Sequence, residues 1–555
     1  MCQPFVKLYK ENELMLSINE IHLKSIQRYF MVFILGIAVF TAPQVWYFSP
    51  DSGYYIGTVI ELLESGSYSF NGYPNLQYYP GTSWFFAIPI LIFGLDFHLL
   101  HVFYCVFVVA VIWLSAKIFN AERFGNISLL LPVLLVLNTL IQKETNVLLS
   151  GTPFAFCILA ALLLWRKFEE SRSIVFLCTV VFFVSLGPLI RTEGVFLISA
   201  FGLAYLIHSI KHLGFSIRAF LIPSLLTLLT FIPFALWTYR NYLMHSPDTY
   251  NMANAVFFGL KGLALYGPGF GHLDVVVDKS AVGYYNLYYT LIDLAESYIG
   301  QIVVYQGNFG RFIVPLFLIG MCIATVFGVK RWVTKANAME TVLFTSILFF
   351  VIYWALKQNS LNPVVRIWMP LIPFLTFLII LGMDSFLKLC KNNLVRIGVS
   401  AVYAFVFVIV LANGVLSFAS FKSENVASYN ENRNVVMTQI AEYIKSNTPS
   451  DVVLTTDDWG VFPLKTDRQS YMILNGNNYL AILQRMHKYN SSYLVSLEGF
   501  TVQSKSVAPL VEKYPSIFSL EREFNNNQAA PSGFVYEIDK ISLDEEIKLL
   551  STMKQ

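Results

Sequence analysis

The sequence predicts a polytopic α-helical membrane protein that carries a smaller α/β domain after its last span. Of the 555 residues, 56% are hydrophobic and only 13% are charged, whereas an ordinary soluble protein has roughly 25% charged residues. Apolar runs recur along the chain until the region of Phe418, and after this point charge returns and hydrophobicity becomes periodic. The net charge of +3 gives no indication of a nucleic-acid partner.

The apolar runs define the membrane domain. A spanning helix needs roughly 20 mainly apolar residues, and about eleven segments of residues 29–419 meet this requirement. An additional short run, Trp84 to Leu95, predicts an interfacial helix. The eleven segments centre on residues 29–48, 98–116, 127–142, 150–165, 173–190, 194–209, 219–239, 312–329, 339–356, 367–386 and 397–418.

Basic residues set the predicted orientation, because cytoplasmic ends of spans are enriched in Lys and Arg. The loop 49–96 has neither residue type, so we place it outside and residues 1–28 in the cytoplasm. The loop 240–311 then lies outside too, as does the domain 420–555. The basic residues at predicted inner ends include Lys117, Arg123, Arg166, Lys167, Lys211, Arg218, Lys330, Arg331, Lys388 and Lys391.

The C-terminal segment shows alternating helix and strand patterns, which predict an α/β domain. We expect helices at Asn434 to Ser446, Leu480 to Tyr489 and Ala508 to Tyr514, and strands at Val452 to Thr456, Tyr493 to Ser496 and Phe534 to Ile538.

Asp51 is the most informative residue of the outer loop. It follows the first span in Ser-Pro-Asp-Ser-Gly-Tyr-Tyr, and the loop ends in Tyr-Tyr-Pro-Gly at Gly81. An acid where a membrane helix emerges is costly to keep unless it has a function. A carboxylate there can act as a general base, and Tyr54, Tyr55 and Tyr79 can shape a substrate pocket. The alternative is that Asp51 caps a helix running from Ser52.

Further polar residues are predicted at the same outer layer. Arg191 and Glu193, in Arg-Thr-Glu-Gly, can bind phosphate or form a structural ion pair at a tight turn. Arg366 precedes a Pro-containing helix and suits a phosphate, or it is an interfacial arginine whose head reaches water. Arg311 is a further phosphate contact or an anchor at a helix start.

Two more candidates complete the set. Glu144 ends the third predicted span and is either a second acid or a solvated loop residue. His101, near the start of the second span, packs at the interface or hydrogen-bonds a substrate, since no third metal ligand accompanies His98 and His101. Walker, GxGxxG, HExxH and GxSxG motifs are missing from the sequence, so cytoplasmic nucleotide chemistry has no support.

The order of these motifs resembles the GT-C superfamily of membrane glycosyltransferases. It is similar to bacterial protein O-mannosyltransferases and lipid A aminoarabinose transferases, and to dolichyl-phosphate-mannose-protein mannosyltransferases. The matching features are the acid after the first span, the Tyr pair, Tyr-Pro-Gly, Arg-Thr-Glu-Gly, the Arg-x-x-x-Pro-x-x-Pro stretch at 366–373 and the terminal outer domain.

The resemblance implies an inverting transfer of a sugar, a hexose or a pentose, from a polyprenyl-phosphate donor. The acceptor is a lipid, glycan or protein outside the cytoplasm, and the enzyme lies in the plasma (inner) membrane among its lipids. Asp51 is then the general base, and Arg366, Arg191 and Arg311 hold the donor phosphate. The other candidates, Tyr54, Tyr55, Tyr79, Glu193, Glu144 and His101, line the substrate pocket.

One position departs from the family pattern. Many relatives carry a second acid at the start of the fourth span, where this chain has Gly151 before Thr-Pro-Phe. Glu144 or Glu193 is the candidate replacement, and a divalent metal is a candidate cofactor whose ligands the sequence leaves unknown.

Two other functional classes fit the same composition. An O-antigen polymerase or ligase also has many spans, but its long Arg-rich loop typically falls late between spans. A transporter requires ionisable residues or broken helices near mid-membrane, whereas the polar residues here gather in the outer layer.

Overall fold

The structure is a computed structural model, and a defined part of the chain can be described. That part comprises residues 29, 31–39, 41–43, 50–70, 73–75, 78–145, 147–244, 294–295, 297–299, 310–357, 369–421, 424–457, 462–473, 479–497, 504–524 and 532–552.

The larger part is helical. Antiparallel strands β1 (Ser69–Phe70) and β2 (Tyr73–Pro74) lie between the helices Pro50–Ser65 and Pro80–Phe93. Short 3₁₀ segments cover Asn126–Leu129 and Thr192–Gly194. The helices are α1 Pro50–Ser65, α2 Pro80–Phe93, α3 Phe97–Ile118, α4 Ala121–Phe124, α5 Leu130–Leu137, α6 Thr139–Glu144, α7 Gly151–Ser171, α8 Ile174–Ile190, α9 Val195–Leu213, α10 Ile217–Leu243, α11 Gly310–Val333, α12 Ala338–Lys357, α13 Ile372–Leu389, α14 Asn393–Phe421 and α15 Glu424–Asn447.

The helices are those of a multi-pass membrane protein. Within the described residues, six helical stretches are long and apolar enough to cross a bilayer, and four shorter apolar helices accompany them. The count of about eleven spans stays a prediction. The six stretches are Phe97–Phe124, Gly151–Ser171, Thr192–Leu213, Ile217–Asn241, Ile372–Leu389 and Asn393–Ala419.

The predicted third span, 127–142, is not one continuous helix. Asn138 has an extended backbone between α5 and α6, and its side-chain Oδ1 accepts hydrogen bonds from the amides of Leu140 and Ile141. Asparagine is a favoured N-cap, so it ends one short helix and begins the next. The break gives Glu144 its place at the end of the six-residue helix α6.

Basic residues predicted at inner ends meet one another at one end of the bundle. Arg123 forms an ion pair with Glu340 at 2.7 Å, and Arg331 donates to the Phe124 carbonyl at 3.0 Å. Arg331 also pairs with Asp384. These contacts join the ends of α4, α11, α12 and α13, and the outer candidates lie at the opposite ends of their helices.

The C-terminal segment is an α/β unit with a five-stranded sheet of order β4-β3-β5-β7-β6. Strands β4, β3 and β5 are mutually parallel, while β7 is antiparallel to β5 and β6. The elements are β3 Val453–Thr456, α16 Phe462–Thr466, β4 Gln469–Met472, α17 Tyr479–Lys488, β5 Tyr493–Leu497, α18 Ser504–Lys513, β6 Phe518–Phe524, β7 Gly533–Ile538 and α19 Lys540–Thr552.

The unit packs against α1 of the membrane part. A Cβ built on Gly57 of α1 would lie 3.0 Å from the Leu464 Cδ2 atom of α16 and closer still to the Phe70 ring. The helix α16 is the crossover between the parallel strands β3 and β4, and this crossover contacts α1. This contact brings the sheet to the helix that carries Asp51.

Candidate functional site

Asp51 lies in the first turn of α1, directly after Pro50. Proline suits a first helical turn because the amide there has no partner within the helix, and an acid is stabilised by the positive end of the helix dipole. The side chain is buried, with 7% of its surface exposed. The Tyr78 hydroxyl donates a 2.6 Å hydrogen bond to its Oδ1 atom.

Tyr54 and Tyr55 pack against Tyr78, the tyrosine that contacts this carboxylate. The ring centroids of Tyr54 and Tyr55 lie 4.9 Å and 5.0 Å from that of Tyr78, and Tyr55 meets it edge-on. Burial raises the pKa of Tyr55 to about 12, although nearby Ser150 and Arg191 oppose the shift. Tyr55 therefore remains a neutral hydroxyl at physiological pH.

Tyr78 is itself held by a polar chain through the first loop. Its amide donates to Asn75 Oδ1 at 3.1 Å, and the Asn75 side-chain nitrogen donates to Thr58 Oγ1 on α1 at 3.0 Å. Arg240, at the end of α10, donates to the carbonyl oxygens of Asn75 and Tyr68, each at 2.9 Å. Helix α10 thus fixes the loop that places a hydroxyl on Asp51.

Arg191 and Glu193 form a buried pair at the turn between α8 and α9. Their Nη2 and Oε1 atoms lie 2.7 Å apart, and Arg191 Nη1 donates to Ser150 Oγ at 3.2 Å. The predicted ion pair is present, and Arg191 also interacts electrostatically with Tyr55 and Glu144.

A close helix contact brings the Arg191 turn to the first loop. A Cβ at Gly81, in the first turn of α2, would lie 2.7 Å from the carbonyl carbon and oxygen of Leu189. Such a separation is below van der Waals contact, so only glycine fits there. The Tyr-Pro-Gly motif therefore seats α2 on the end of α8.

Glu144 is buried, with 4% exposure, so the solvated-loop interpretation of this residue is wrong. The break at Asn138 turns α6 inward and places the carboxyl group between α3 and α7. Thr152 donates to Oε2 at 3.1 Å, and the Tyr104 hydroxyl oxygen lies 2.7 Å both from Oε2 and from the Leu149 carbonyl oxygen.

This geometry favours the protonated form of Glu144. A tyrosine hydroxyl has one proton, so it donates to only one of its two close neighbours. Both contacts are satisfied when Glu144 donates to Tyr104 and Tyr104 donates to Leu149. Burial independently raises the pKa of Glu144, and the nearby hydroxyls of Tyr104 and Thr152 and the charge of Arg191 only partly oppose it.

Gly151 has Glu144 as its neighbour. A Cβ at this position would lie 3.2 Å from both carboxyl oxygens of Glu144 and 3.3 Å from the Cβ atom of Met369. The space beside residue 151 is thus filled by the carboxyl group of residue 144. An acid is present at this location although residue 151 has no side chain.

The remaining candidates have varied outcomes. His101 is fully buried on α3, one turn before Tyr104. Tyr79 lies in a small apolar cluster with Leu189, and its ring stacks on Phe234 at 5.3 Å. Arg311 is in the first turn of α11, but its side chain is outside the described residues, and Arg366 lies wholly outside them.

The charges joined by these contacts matter for ligand binding. The formal charges of ionised Asp51, ionised Glu193 and Arg191 sum to −1. A neutral Glu144 leaves this sum unchanged. Within the described part of the chain, no group of three or more His, Cys, Asp or Glu side chains is placed to hold a metal ion. An anionic ligand here requires further positive charge.

Several contributors were not selected from the sequence. Tyr78 rather than Tyr79 contacts Asp51, and the two adjacent tyrosines give no sequence signal that separates them. Asn75, Ser150 and Arg240 act through hydrogen bonds to residues distant in the chain. The sequence places Asn75 and Arg240 in predicted outer loops, 49–96 and 240–311, but gives no sign of these contacts.

Comparison with known proteins supports the fold. No family model matches the chain, and no curated protein matches its sequence. The crystal structure of ArnT from Cupriavidus metallidurans in the apo state is similar, with a TM-score of 0.56 and 10% identity over 93% of this chain and 98% of that one. The structure of the same protein bound to undecaprenyl phosphate has a TM-score of 0.55 and 11% identity. This similarity covers 92% of this chain and 97% of that one.

A third similar structure is the apo oligosaccharyltransferase of Archaeoglobus fulgidus, with a TM-score of 0.48 and 14% identity over 92% of this chain and 75% of that one. The ArnT similarity covers nearly the whole of both chains. At this low identity it shows that the chain shares the fold of ArnT.

Proposed function

We propose that this protein is an inverting glycosyltransferase that moves a sugar from a polyprenyl-phosphate donor to an extracytoplasmic lipid, glycan or protein. The observation that carries the proposal is the buried Asp51 carboxylate, held by Tyr78 and packed near the Arg191 turn in a GT-C fold. A carboxylate and a guanidinium in one outer layer match the two needs of the reaction.

Asp51 serves as the general base. An acceptor hydroxyl attacks the anomeric carbon, its proton passes to Asp51, and the bond from that carbon to the donor phosphate breaks. The polyprenyl phosphate leaves with the bonding electrons, and a single displacement inverts the anomeric centre. A positioned base typically contributes about 10²- to 10⁴-fold to such a step, and the Tyr78 hydrogen bond orients the carboxylate.

Arg191 contributes to binding of the donor phosphate. Its described hydrogen bonds use one proton of Nη1 and one of Nη2, which leaves donors for a phosphate oxygen. Because Asp51 and Glu193 outweigh its charge, we assign Arg366 and Arg311 to the same phosphate. The similar ArnT structure holds undecaprenyl phosphate, which supports this donor class. A divalent metal is an alternative source of the missing charge.

Glu144 is the second acid of this site. A neutral carboxyl group adds no repulsion toward the donor phosphate, and it can donate a hydrogen bond. Glu193 instead balances Arg191. Tyr54, Tyr55, Tyr79 and His101 complete the pocket wall in this proposal.

The proposed topology follows the charge pattern. Residues 1–28 are cytoplasmic, residues 29–419 form the membrane domain, and residues 420–555 lie outside with the loops 49–96 and 240–311. The clustering of inner-end basic residues at one end of the bundle supports this orientation.

The test is turnover of a lipid-linked sugar. Purified protein in nanodiscs is incubated with a set of polyprenyl-phosphate sugars and a membrane extract as acceptor source, and released polyprenyl phosphate is measured. We expect release that depends on the extract. Solute movement in proteoliposomes without donor consumption would instead identify a transporter and reject the proposal.

A further inference from the structure

A cleft lies at the end of α1 that is far from Asp51. Its volume is about 510 Å³, within the range of roughly 300–1,000 Å³ typical of small-molecule sites. Leu62 at the cleft lies eleven positions after Asp51 on the same helix, or about 16.5 Å at 1.5 Å per residue. The cleft is therefore distinct from the proposed point of transfer.

Aromatic rings form one wall of the cleft. Tyr68 and Trp84 each meet Trp237 edge-on, with centroid distances of 4.9 Å and 6.2 Å. Trp84 has 42% of its surface exposed, although it is a large aromatic residue. The exposed indole of Trp84, held in a fixed orientation by Trp237, provides a flat face of the kind that stacks on a ring.

Hydrogen-bonding groups form the other wall. Ser65 and Ser67 are exposed at the end of α1, around Gly66. Arg240 packs over the Trp237 ring at 4.8 Å, and its described hydrogen bonds use both protons of Nη1 and one of Nη2. Its Nε–H and second Nη2 proton have no hydrogen-bond partner among the described residues, so donors are available beside the aromatic faces.

This combination fits a pyranose ring. One face of a pyranose presents C–H groups whose slight positive charge is attracted to the electron-rich face of an aromatic ring, while its hydroxyls need donors and acceptors at the edge. A pocket for a lipid tail has no use for the exposed serines and the arginine. The aromatic faces bind the ring, and the polar wall orients it.

The cleft is also joined to the Asp51 loop. The Tyr68 hydroxyl donates to the Tyr79 carbonyl at 3.1 Å and lies 3.3 Å from Ser83 Oγ. Tyr79 directly follows Tyr78, whose hydroxyl contacts Asp51. A ligand in the cleft therefore lies on the same folded loop that positions the proposed base.

We propose that this cleft binds a pyranose of the acceptor, remote from the hydroxyl that receives the new sugar. The inference rests on the proposed function and narrows it, because it makes the acceptor a glycan or a glycolipid. A lipid-free glycan and a glycolipid headgroup share the pyranose chemistry, and the two sources are separated in the test below.

The test measures binding first, without donor. Full-length protein in nanodiscs is applied to a printed array of lipid-free pyranose mono- to tetrasaccharides, and the best ligand is titrated. We expect Trp84→Ala to weaken its affinity about tenfold, which corresponds to about 1.4 kcal/mol. Trp84→Phe should retain most of the affinity, and Phe93→Ala, an exposed aromatic on the same helix, should leave it unchanged.

Asp51→Asn separates this inference from the proposed function. It should bind the glycan normally and yet transfer no sugar. Suppose that the wild type turns over the donor and that Trp84→Ala binds the glycan as tightly as the wild type. This result would overturn the cleft assignment and leave the proposed function standing. Glycan binding that depends on Trp84, without any donor turnover, would support the cleft assignment and reject the proposed transferase function.

The source of the pyranose is tested with the same variants. If the array ligand also raises donor turnover, a lipid-free glycan is sufficient, whereas turnover only with its lipid-linked form identifies a glycolipid acceptor. In both cases Trp84→Ala should raise the acceptor KM with little change in kcat. Binding of no saccharide by wild-type protein would overturn the inference.

Discussion

The Tyr78 hydroxyl donates a 2.6 Å hydrogen bond to Oδ1 of Asp51, across 27 residues of the chain. This bond makes the end of the first loop part of the same site as its beginning. Asn75 and Arg240 in turn fix Tyr78, so a single side chain on α10 bears on the orientation of the carboxylate. The site is built by the fold of the loop and not by one helix end.

Tyr78→Phe should lower kcat by about tenfold or more, because a hydrogen bond to a charged group is worth about 1.5–3 kcal/mol. The ring and its packing on Tyr54 and Tyr55 remain, so the thermal unfolding midpoint should change little. Transfer rates over a range of acceptor concentrations measure the effect. Tyr239→Phe, at an exposed tyrosine of α10, is the control and should be silent. Equal kcat in Tyr78→Phe and wild type would refute the role of this bond.

Glu144 should make stability depend on pH. Its pKa is raised in the folded state, so below the ordinary glutamate pKa both states hold the proton and the contribution is fully present. As pH rises, the unfolded state releases the proton first, and the contribution is lost as pH passes the raised folded value. We expect the unfolding midpoint of the wild type to fall over this window.

Glu144→Gln is the matched comparison for that pH profile. An amide keeps the size of a protonated carboxyl group and does not titrate, so the same measurement should give a flatter profile. Identical slopes for the two proteins at pH values above about 4.3, the ordinary glutamate pKa, would contradict a protonated Glu144.

Gly151→Ala should destabilise the protein by about 1 kcal/mol or more, since overpacking a filled site typically costs about 1–3 kcal/mol. The new methyl group meets a carboxyl group that Thr152 holds in place. Denaturation of the solubilised protein measures the change. Gly398→Ala is the control, because a Cβ there has open space and alanine favours the helix.

The same substitution in a Glu144→Ala background tests the cause. With the carboxyl group removed, the methyl group at residue 151 has room, so its additional cost should shrink. An unchanged cost in both backgrounds would show that Glu144 is not what limits the size of residue 151.

Arg191→Gln should raise the donor KM by about tenfold or more, because it removes a charged partner of the phosphate. It also leaves Glu193 buried without its ion-pair partner, so the single variant should be less stable. Arg191→Gln/Glu193→Gln removes both charges and should regain stability without regaining donor affinity. A double variant with the donor KM of wild type would contradict phosphate binding by Arg191. Arg172→Gln, exposed at the opposite end of the bundle, is the control.

Hydropathy predicted the membrane helices well because lipid imposes length and apolarity on each of them. The segments 98–116, 173–190 and 219–239 correspond to α3, α8 and α10. The break at Asn138 was missed, since one polar residue hardly lowers the mean hydropathy of the surrounding window. Its capping role depends on backbone conformation, which hydropathy does not record.

In the C-terminal unit, buried strands were easier to find than edge strands. Strands β3, β5 and β7 lie near the predicted ranges, whereas β4 and β6 were not predicted. In β6 only the terminal residues Phe518 and Phe524 are buried, so the strand lacks the alternation that reveals a half-buried sheet.

For the site, the sequence located the layer but not the contacts. Charge sidedness put Asp51, Arg191 and Glu144 on one face, and the structure joins the last two through electrostatic interaction. The choice of Tyr78 over Tyr79 and the placement of Glu144 beside Gly151 depend on how α2 and α6 pack. Such contacts follow from tertiary structure and carry no local pattern.

The most direct test of the central claim compares Asp51→Asn with Glu64→Gln, which alters an exposed acid on the same helix. Both proteins should insert and unfold like wild type, and release of polyprenyl phosphate from the donor is measured under saturating conditions. The account predicts that Asp51→Asn loses at least about a hundredfold in rate while Glu64→Gln retains it. Wild-type transfer by Asp51→Asn would contradict the assignment of Asp51 as the base.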